Sequence, residues 1–250
     1  MFASIWHNFF FDPIYNGLIF LIDTIPGGDV GIAIIVLTVV VKMGLLPLSL
    51  SAARTQRVMR DIEPKLAEIK EKFKEDREGL ARAMMALYKD AGINPFSSIL
   101  LMFIQIPIII ALYLSVYSGG GIKLPDINTD LLYSFVPVPA TASMLFLGFM
   151  DIAAKSLPLA VLAGATQFFQ ARLAFPAPVK RAEGAAPSFK DDFARSMQMQ
   201  MRYVMPILIF FFAYTISASV ALYFVVSNIL GIIQELIVQR RHKEEVLKQV

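Results

Sequence analysis

Five apolar blocks constrain this chain more than any other feature: residues 30–50, 95–117, 157–175, 200–216 and 218–239. Each has roughly the 17–25 residues that a helix needs to cross about 30 Å of hydrocarbon. The chain is 56% hydrophobic and only 17% charged, against about 25% charged in ordinary soluble domains. We therefore expect an all-α membrane protein with five transmembrane helices.

Two further apolar stretches interrupt this count. Phe9 to Ile25 contains Asp12, Pro13 and Asp23 and has no preceding Lys or Arg, so it reads as an interfacial helix within an external N-terminal segment, 1–29. Phe135 to Met150 contains Pro137, Pro139, Thr141 and Ser143 and competes as a sixth span. Charge decides against it. Residues 51–95 carry ten Lys/Arg, residues 172–202 carry six and the tail from 240 carries four. Only Lys123 and Lys155 fall on the other side, and Lys42 falls within a span. Five spans place all three basic regions in the cytoplasm, as the positive-inside rule requires, with the N-terminus outside and the C-terminus inside. Residues 118–156 then form an external loop with an interfacial apolar segment.

The first cytoplasmic region, 51–94, has helical order. Val58, Ile62, Leu66, Ile69 and Phe73 recur in steps of four and three, the spacing of one helical face over Ala52–Glu75. "DREG" at Asp76–Gly79 breaks the pattern, and a second helix carries Leu80, Met84, Leu87 and Tyr88 on one side. "AGINPF" supplies a Gly92 stop, an Asn94 cap and Pro95 as a helix start. The expectation is an antiparallel helical hairpin. Residues 176–199 form a Pro-, Ala- and charge-rich cytoplasmic loop, and 240–250 a basic tail whose ordinary role is a topological anchor.

The chemistry of a membrane enzyme or proton-driven pump is missing. The spans hold no Asp, Glu or His except Glu235, near the cytoplasmic end of the last. There is no cysteine, which removes disulfide, zinc-thiolate and thiol-redox chemistry, and no nucleotide or hydrolase motif. We expect no catalytic residue, metal or cofactor, and do not read the chain as an enzyme. What lies at depth is Lys42 with Thr38, Gln105, Gln167, Gln170, Ser227, Asn228 and Gln234. Phe224, Ser227, Asn228 and Gly231 share one helical face by their spacing, as do Gln167 and Gln170. Any one amide is ordinarily a helix–helix hydrogen bond. Lys42 lies twelve residues into its span, about 18 Å at 1.5 Å per residue, a long reach for snorkelling. Polar faces turned toward Lys42 around a hydrated cavity explain the set better.

Two surface features stay open. In "MQMQMRYVMP", Met197, Met199 and Met201 offer an adaptable surface for apolar clients, and equally fit interfacial packing. "QRRHK" could touch anionic lipid or ribosomal RNA as well as anchor the topology.

From Phe11 to Arg241 the chain resembles the YidC family of membrane protein insertases. "GIAIIVLTVVVKMGLLPLS" resembles the family's first core helix. "IEPKLAEIKEKF…MMALYKDAGINPFSSILLMFIQIPIIIALY" is similar to its hairpin and second core helix. "MRYVMPILIFFFAY" with "LYFVVSNILGIIQ" resembles its last two. The resemblance implies a five-helix core around a hydrophilic groove, open to the cytoplasm and to lipid and closed to the outside. It implies a groove cation at Lys42, where the family usually has Arg. It also implies nascent membrane proteins as clients, a hairpin needed for activity, the bacterial plasma (inner) membrane as location, and delivery beside the Sec translocon or from ribosomes. A minimal form working as a monomer is expected. Phe224 stands where Trp is common, and "TISASVALYF" lacks the Pro and Gly frequent between the last two helices. A channel or transporter, and an assembly factor that inserts nothing, are the other classes compatible with these residues.

Overall fold

The computed structural model describes residues 2–74, 76–94, 96–174, 196 and 199–247. Its architecture is mostly helical. In chain order it has α1 (Phe2–Trp6), α2 (Asp12–Thr24), α3 (Val30–Gly44), α4 (Leu46–Asp61), α5 (Glu63–Lys72), α6 (Arg77–Asp90) and α7 (Phe96–Tyr117). A two-residue pair of antiparallel strands follows, β1 (Leu145–Phe146) and β2 (Met150–Asp151). The chain continues through α8 (Leu157–Ala174), α9 (Met205–Ile216) and α10 (Ala218–Leu247). Among the described residues, Ala218–Arg240 of α10 is long and apolar enough to cross a bilayer by itself. Val30–Gly44 and Leu46–Met59 meet that standard only as a pair, while Phe103–Tyr117 and Gln200–Ile216 are apolar but shorter.

The contacts divide the chain into two compact units: Met1–Met43 with Ile106–Leu236, and Gly44–Gln105 with Ile237–Val250. In the first, small residues bring helices close together. Ala160 and Ala163 of α8, Ala213 of α9 and Ala218 and Ala221 of α10 are fully buried, with Leu159, Leu222 and Val225 completing the cluster. Without a hydrophobic driving force between helices in lipid, such close approach is the main source of packing energy. Gly164 shows how tight the fit is: a Cβ there would sit 3.0 Å from the Cβ of Phe210.

The N-terminal helix packs one face on the rest of its unit. Tyr15, Leu18, Ile19 and Ile22 of α2 are buried within the first unit. Asn16 explains how a polar residue is accommodated there. Its Nδ2 donates to the Leu131 carbonyl at 2.9 Å, and its Oδ1 accepts from the Tyr133 N–H at 2.6 Å. The Tyr15 hydroxyl accepts from the Asn128 N–H at 2.9 Å. Burial raises the Tyr15 pKa, and that backbone bond partly offsets it. The helix is thus stitched to the loop after α7, two polar side chains standing in for the loop's missing backbone partners.

Each break in the helices has a local cause. Asp29 opens α3: its Oδ1 accepts from the Ile32 N–H at 3.0 Å. The single helix expected over 30–50 stops at Gly44, and α4 begins at Leu46 with Pro47 in its first turn. Pro47 has no N–H for the Met43 carbonyl, and its ring collides with that carbonyl in an unbroken helix. Pro64 likewise divides the helix expected over Ala52–Glu75 into α4 and α5. No Pro or Gly separates the last two helices, and Ser217 makes the break. It is extended (φ −174°, ψ 167°), its carbonyl accepts the first α10 bond from the Ala221 N–H, and its hydroxyl lies 2.7 Å from that of Ser219.

The second unit contains the hairpin of α5 and α6, with Leu66 and Tyr88 buried. Asp76 caps α6, accepting from the Gly79 N–H at 2.9 Å. Gly92, at φ +64°, ends it, and the Ile93 N–H closes back on the Tyr88 carbonyl. Buried Thr55 of α4 donates to the Asn94 carbonyl at 3.3 Å, and the Ser97 hydroxyl to Thr55 at 3.2 Å, which ties α4 to the start of α7.

Candidate functional site

Lys42 is not in the middle of a helix, as a span over 30–50 would make it. It lies in the last turn of α3, two residues before its end at Gly44. One turn earlier on the same face is Thr38, buried, its hydroxyl donating to the Ile34 carbonyl at 2.6 Å. That bond keeps the hydroxyl from burdening the apolar interior.

Thr38 also lines a small cavity, together with Ile14, Leu37, Val41, Ile108, Leu112 and Tyr223. Tyr223 is a residue that sequence reasoning missed. It is buried on α10 and hydrogen-bonded by Ser227, one turn further along. The signal was present: a tyrosine deep in an apolar helix needs a partner for its hydroxyl, and Ser227 stands four residues on.

A second polar group lies between α8 and α10. The Asn228 Nδ2 donates to the Ala163 carbonyl at 3.3 Å and to the Thr166 hydroxyl at 3.2 Å. Gln170 lies against Gly231, where a Cβ would come within 2.3 Å of its Nε2. Gly231 is therefore the hole into which the amide fits. The face of Phe224, Asn228 and Gly231 turns toward α8, with Phe224 packed on the alanine-rich cluster. The Asn228 amide makes the helix–helix bonds that a single amide would ordinarily make. Gln167 is half-buried on α8. Gln105 belongs to the other compact unit.

Met199 and Met201 are exposed, flanking Gln200 where the chain winds into α9, and Met197 lies outside the described residues. Between them and α9, Arg202 is buried with its guanidinium 5.7 Å from the Tyr203 ring centre. Much of the 176–199 loop, and the side chains of the 240–250 tail beyond Arg240, also lie outside the described residues.

The fold is mostly helical and, among the described residues, holds one helix long and apolar enough to cross a membrane by itself, as a helical membrane protein would. A family model described as "60Kd inner membrane protein" matches residues 21–245. The chain therefore belongs to that family of inner membrane proteins, the YidC membrane protein insertases. It is similar to the "Membrane protein insertase YidC" of Clostridium tetani, 30% identical over 230 residues, 92% of this chain and 90% of that protein. It is 33% identical over 214 residues to the protein of the same name from Pseudomonas putida (strain GB-1). With that of Pelobacter propionicus it shares 29% over 213 residues. The last two matches take in 86% and 85% of this chain but only 32% and 35% of those proteins.

Proposed function

We propose that the chain works as a membrane protein insertase. It takes a short hydrophilic region of a nascent membrane protein into a hydrated groove and releases the client's apolar segment sideways into lipid. Family membership over residues 21–245 supports the activity. The observation that carries the mechanism is Lys42 at the end of α3, one turn from Thr38 on the same face. The five spans are 30–50, 95–117, 157–175, 200–216 and 218–239, with the N-terminus outside. The distribution of Lys and Arg supports this orientation.

In this reading the groove spares the client's polar end most of the cost of entering hydrocarbon. The Lys42 ammonium attracts acidic residues in that end. Burial of the client's apolar segment then draws the polar end across. The membrane potential adds about 2.3 kcal/mol per acidic charge per 100 mV moved outward. No covalent bond is made or broken. Thr38, Gln105, Gln167, Gln170, Phe224, Ser227 and Asn228 are the proposed groove residues, and Met199 and Met201 the proposed cytoplasmic contact for apolar client segments. Delivery from ribosomes or beside the Sec translocon, to a monomer, follows the family resemblance.

The test is insertion of a small single-span client with an acidic N-terminal tail into vesicles holding the purified protein. Lys42→Arg should insert it as the parent does, and Lys42→Ala should be impaired most for acidic tails. Equal insertion by Lys42→Glu would refute the electrostatic account. Conductance in a pure bilayer with no client insertion would point to a channel, and a client left protease-accessible outside the vesicles to an assembly factor.

A further inference from the structure

The loop between α7 and α8 carries a feature that client insertion does not use. From Leu131 to Met150 there is no Asp, Glu, Lys or Arg. Yet Leu145, Leu147 and Phe149 of the β1–β2 hairpin are 49%, 58% and 72% exposed, and Phe135 is 73% exposed. Exposed apolar surface of this kind marks a binding face.

The hairpin is held rigidly. Phe146 and Met150, on its other face, pack against the alanine-rich cluster of α8, α9 and α10. The Phe146 ring covers Gly31, where a Cβ would lie 2.4 Å from a ring carbon. The Leu147 N–H donates to Asp29 Oδ2 at 2.8 Å. The Ser143 N–H donates to the Gly28 carbonyl at 2.8 Å, and the Ser219 N–H to the Ile152 carbonyl at 2.9 Å. These bonds seat the hairpin where α3 and α10 begin. Leu147 itself has φ +52°, a left-handed conformation that a leucine adopts only at a cost. Strain of this sort is informative when the surroundings impose it. Here they hold a leucine outward where glycine or asparagine would be relaxed.

We infer that the tip Leu147–Phe149, with Leu145, is a lipid anchor seated in the interfacial zone of the outer leaflet. The inference rests on the topology proposed above. The occupant is lipid because the hairpin is fixed at the ends of α3 and α10 that this topology places at the outer membrane surface. The charge-free tip Leu147–Phe149 meets, at that level, the region where apolar side chains partition from water, while exposed Asp151, paired with Leu145, marks the water-facing base of the hairpin.

The chain has no cysteine, so single-cysteine probes need no background changes. An environment-sensitive fluorophore at Phe149→Cys, with Lys123→Cys as control, is read in vesicles of phosphatidylethanolamine and phosphatidylglycerol. The expected result is a blue-shifted Phe149→Cys probe quenched by doxyl groups high on the acyl chains, and an unquenched Lys123→Cys probe. Lys123→Cys should also react with an impermeant maleimide from the outside. A water-like, unquenched Phe149→Cys probe beside an externally labelled Lys123→Cys overturns the anchor and leaves the topology standing. Labelling of Lys123→Cys only from the cytoplasmic side overturns both. Shielding of Phe149→Cys only after addition of membrane proteins overturns lipid in favour of a protein partner.

Discussion

Asp29→Ala should loosen the external end of the protein without touching any proposed groove residue. The carboxylate is 8% exposed and accepts two backbone hydrogen bonds, from Ile32 at 3.0 Å and Leu147 at 2.8 Å. The first caps α3, and losing such a cap costs about 0.5–2 kcal/mol. The second is charge-assisted and holds the strained Leu147. Hydrogen bonds to charged groups contribute about 1.5–3 kcal/mol. The two share one side chain and do not add fully, so the expected loss is about 2–4 kcal/mol. Asn keeps one acceptor oxygen but turns an NH2 toward the other N–H, so Asp29→Asn should lose about half as much. Unfolding in mixed micelles with increasing dodecyl sulfate measures the stability, and protease sensitivity within 143–151 measures the hairpin. The Phe149→Cys probe should also lose its lipid quenching in the Asp29→Ala background. An Asp29→Ala protein within about 0.5 kcal/mol of the parent, with a protected hairpin, would refute the reasoning, since that range is what surface changes ordinarily give.

Two further changes test the packing inside each unit. Asn228→Ala removes both bonds from α10 to α8 and should cost about 0.6–1.7 kcal/mol in the same micelle assay, the range for hydrogen bonds between membrane helices; an unchanged midpoint would mean that these two bonds add nothing to the packing of α10 on α8. Asp76→Ala should fray the start of α6 by about 0.5–2 kcal/mol, seen as faster hydrogen exchange of the amides at 77–80 in the full-length protein, while exchange near Gly92 stays as in the parent.

Much of this protein was legible in its sequence because bilayer physics is one-dimensional. Apolar length and turn chemistry are local signals, and they were enough to read a mostly helical chain. Stops such as Gly92 and caps such as Asp76 are equally local, set by φ or by one side-chain oxygen. The YidC resemblance rested on the order of such local blocks, and the family match over residues 21–245 agrees with it. The rest depended on contacts between distant residues. Periodicity put Phe224, Asn228 and Gly231 on one face, but only the fold turned that face to α8 and filled the Gly231 gap with Gln170. Composition gave α2 no partner, and only the fold shows Asn16 bonded to a loop 115 residues away. The sequence put Lys42 in one continuous apolar helix, whereas the structure breaks that helix between Gly44 and Leu46. Its neighbours in sequence are apolar, and only the fold places it in the last turn of α3, one turn from buried Thr38.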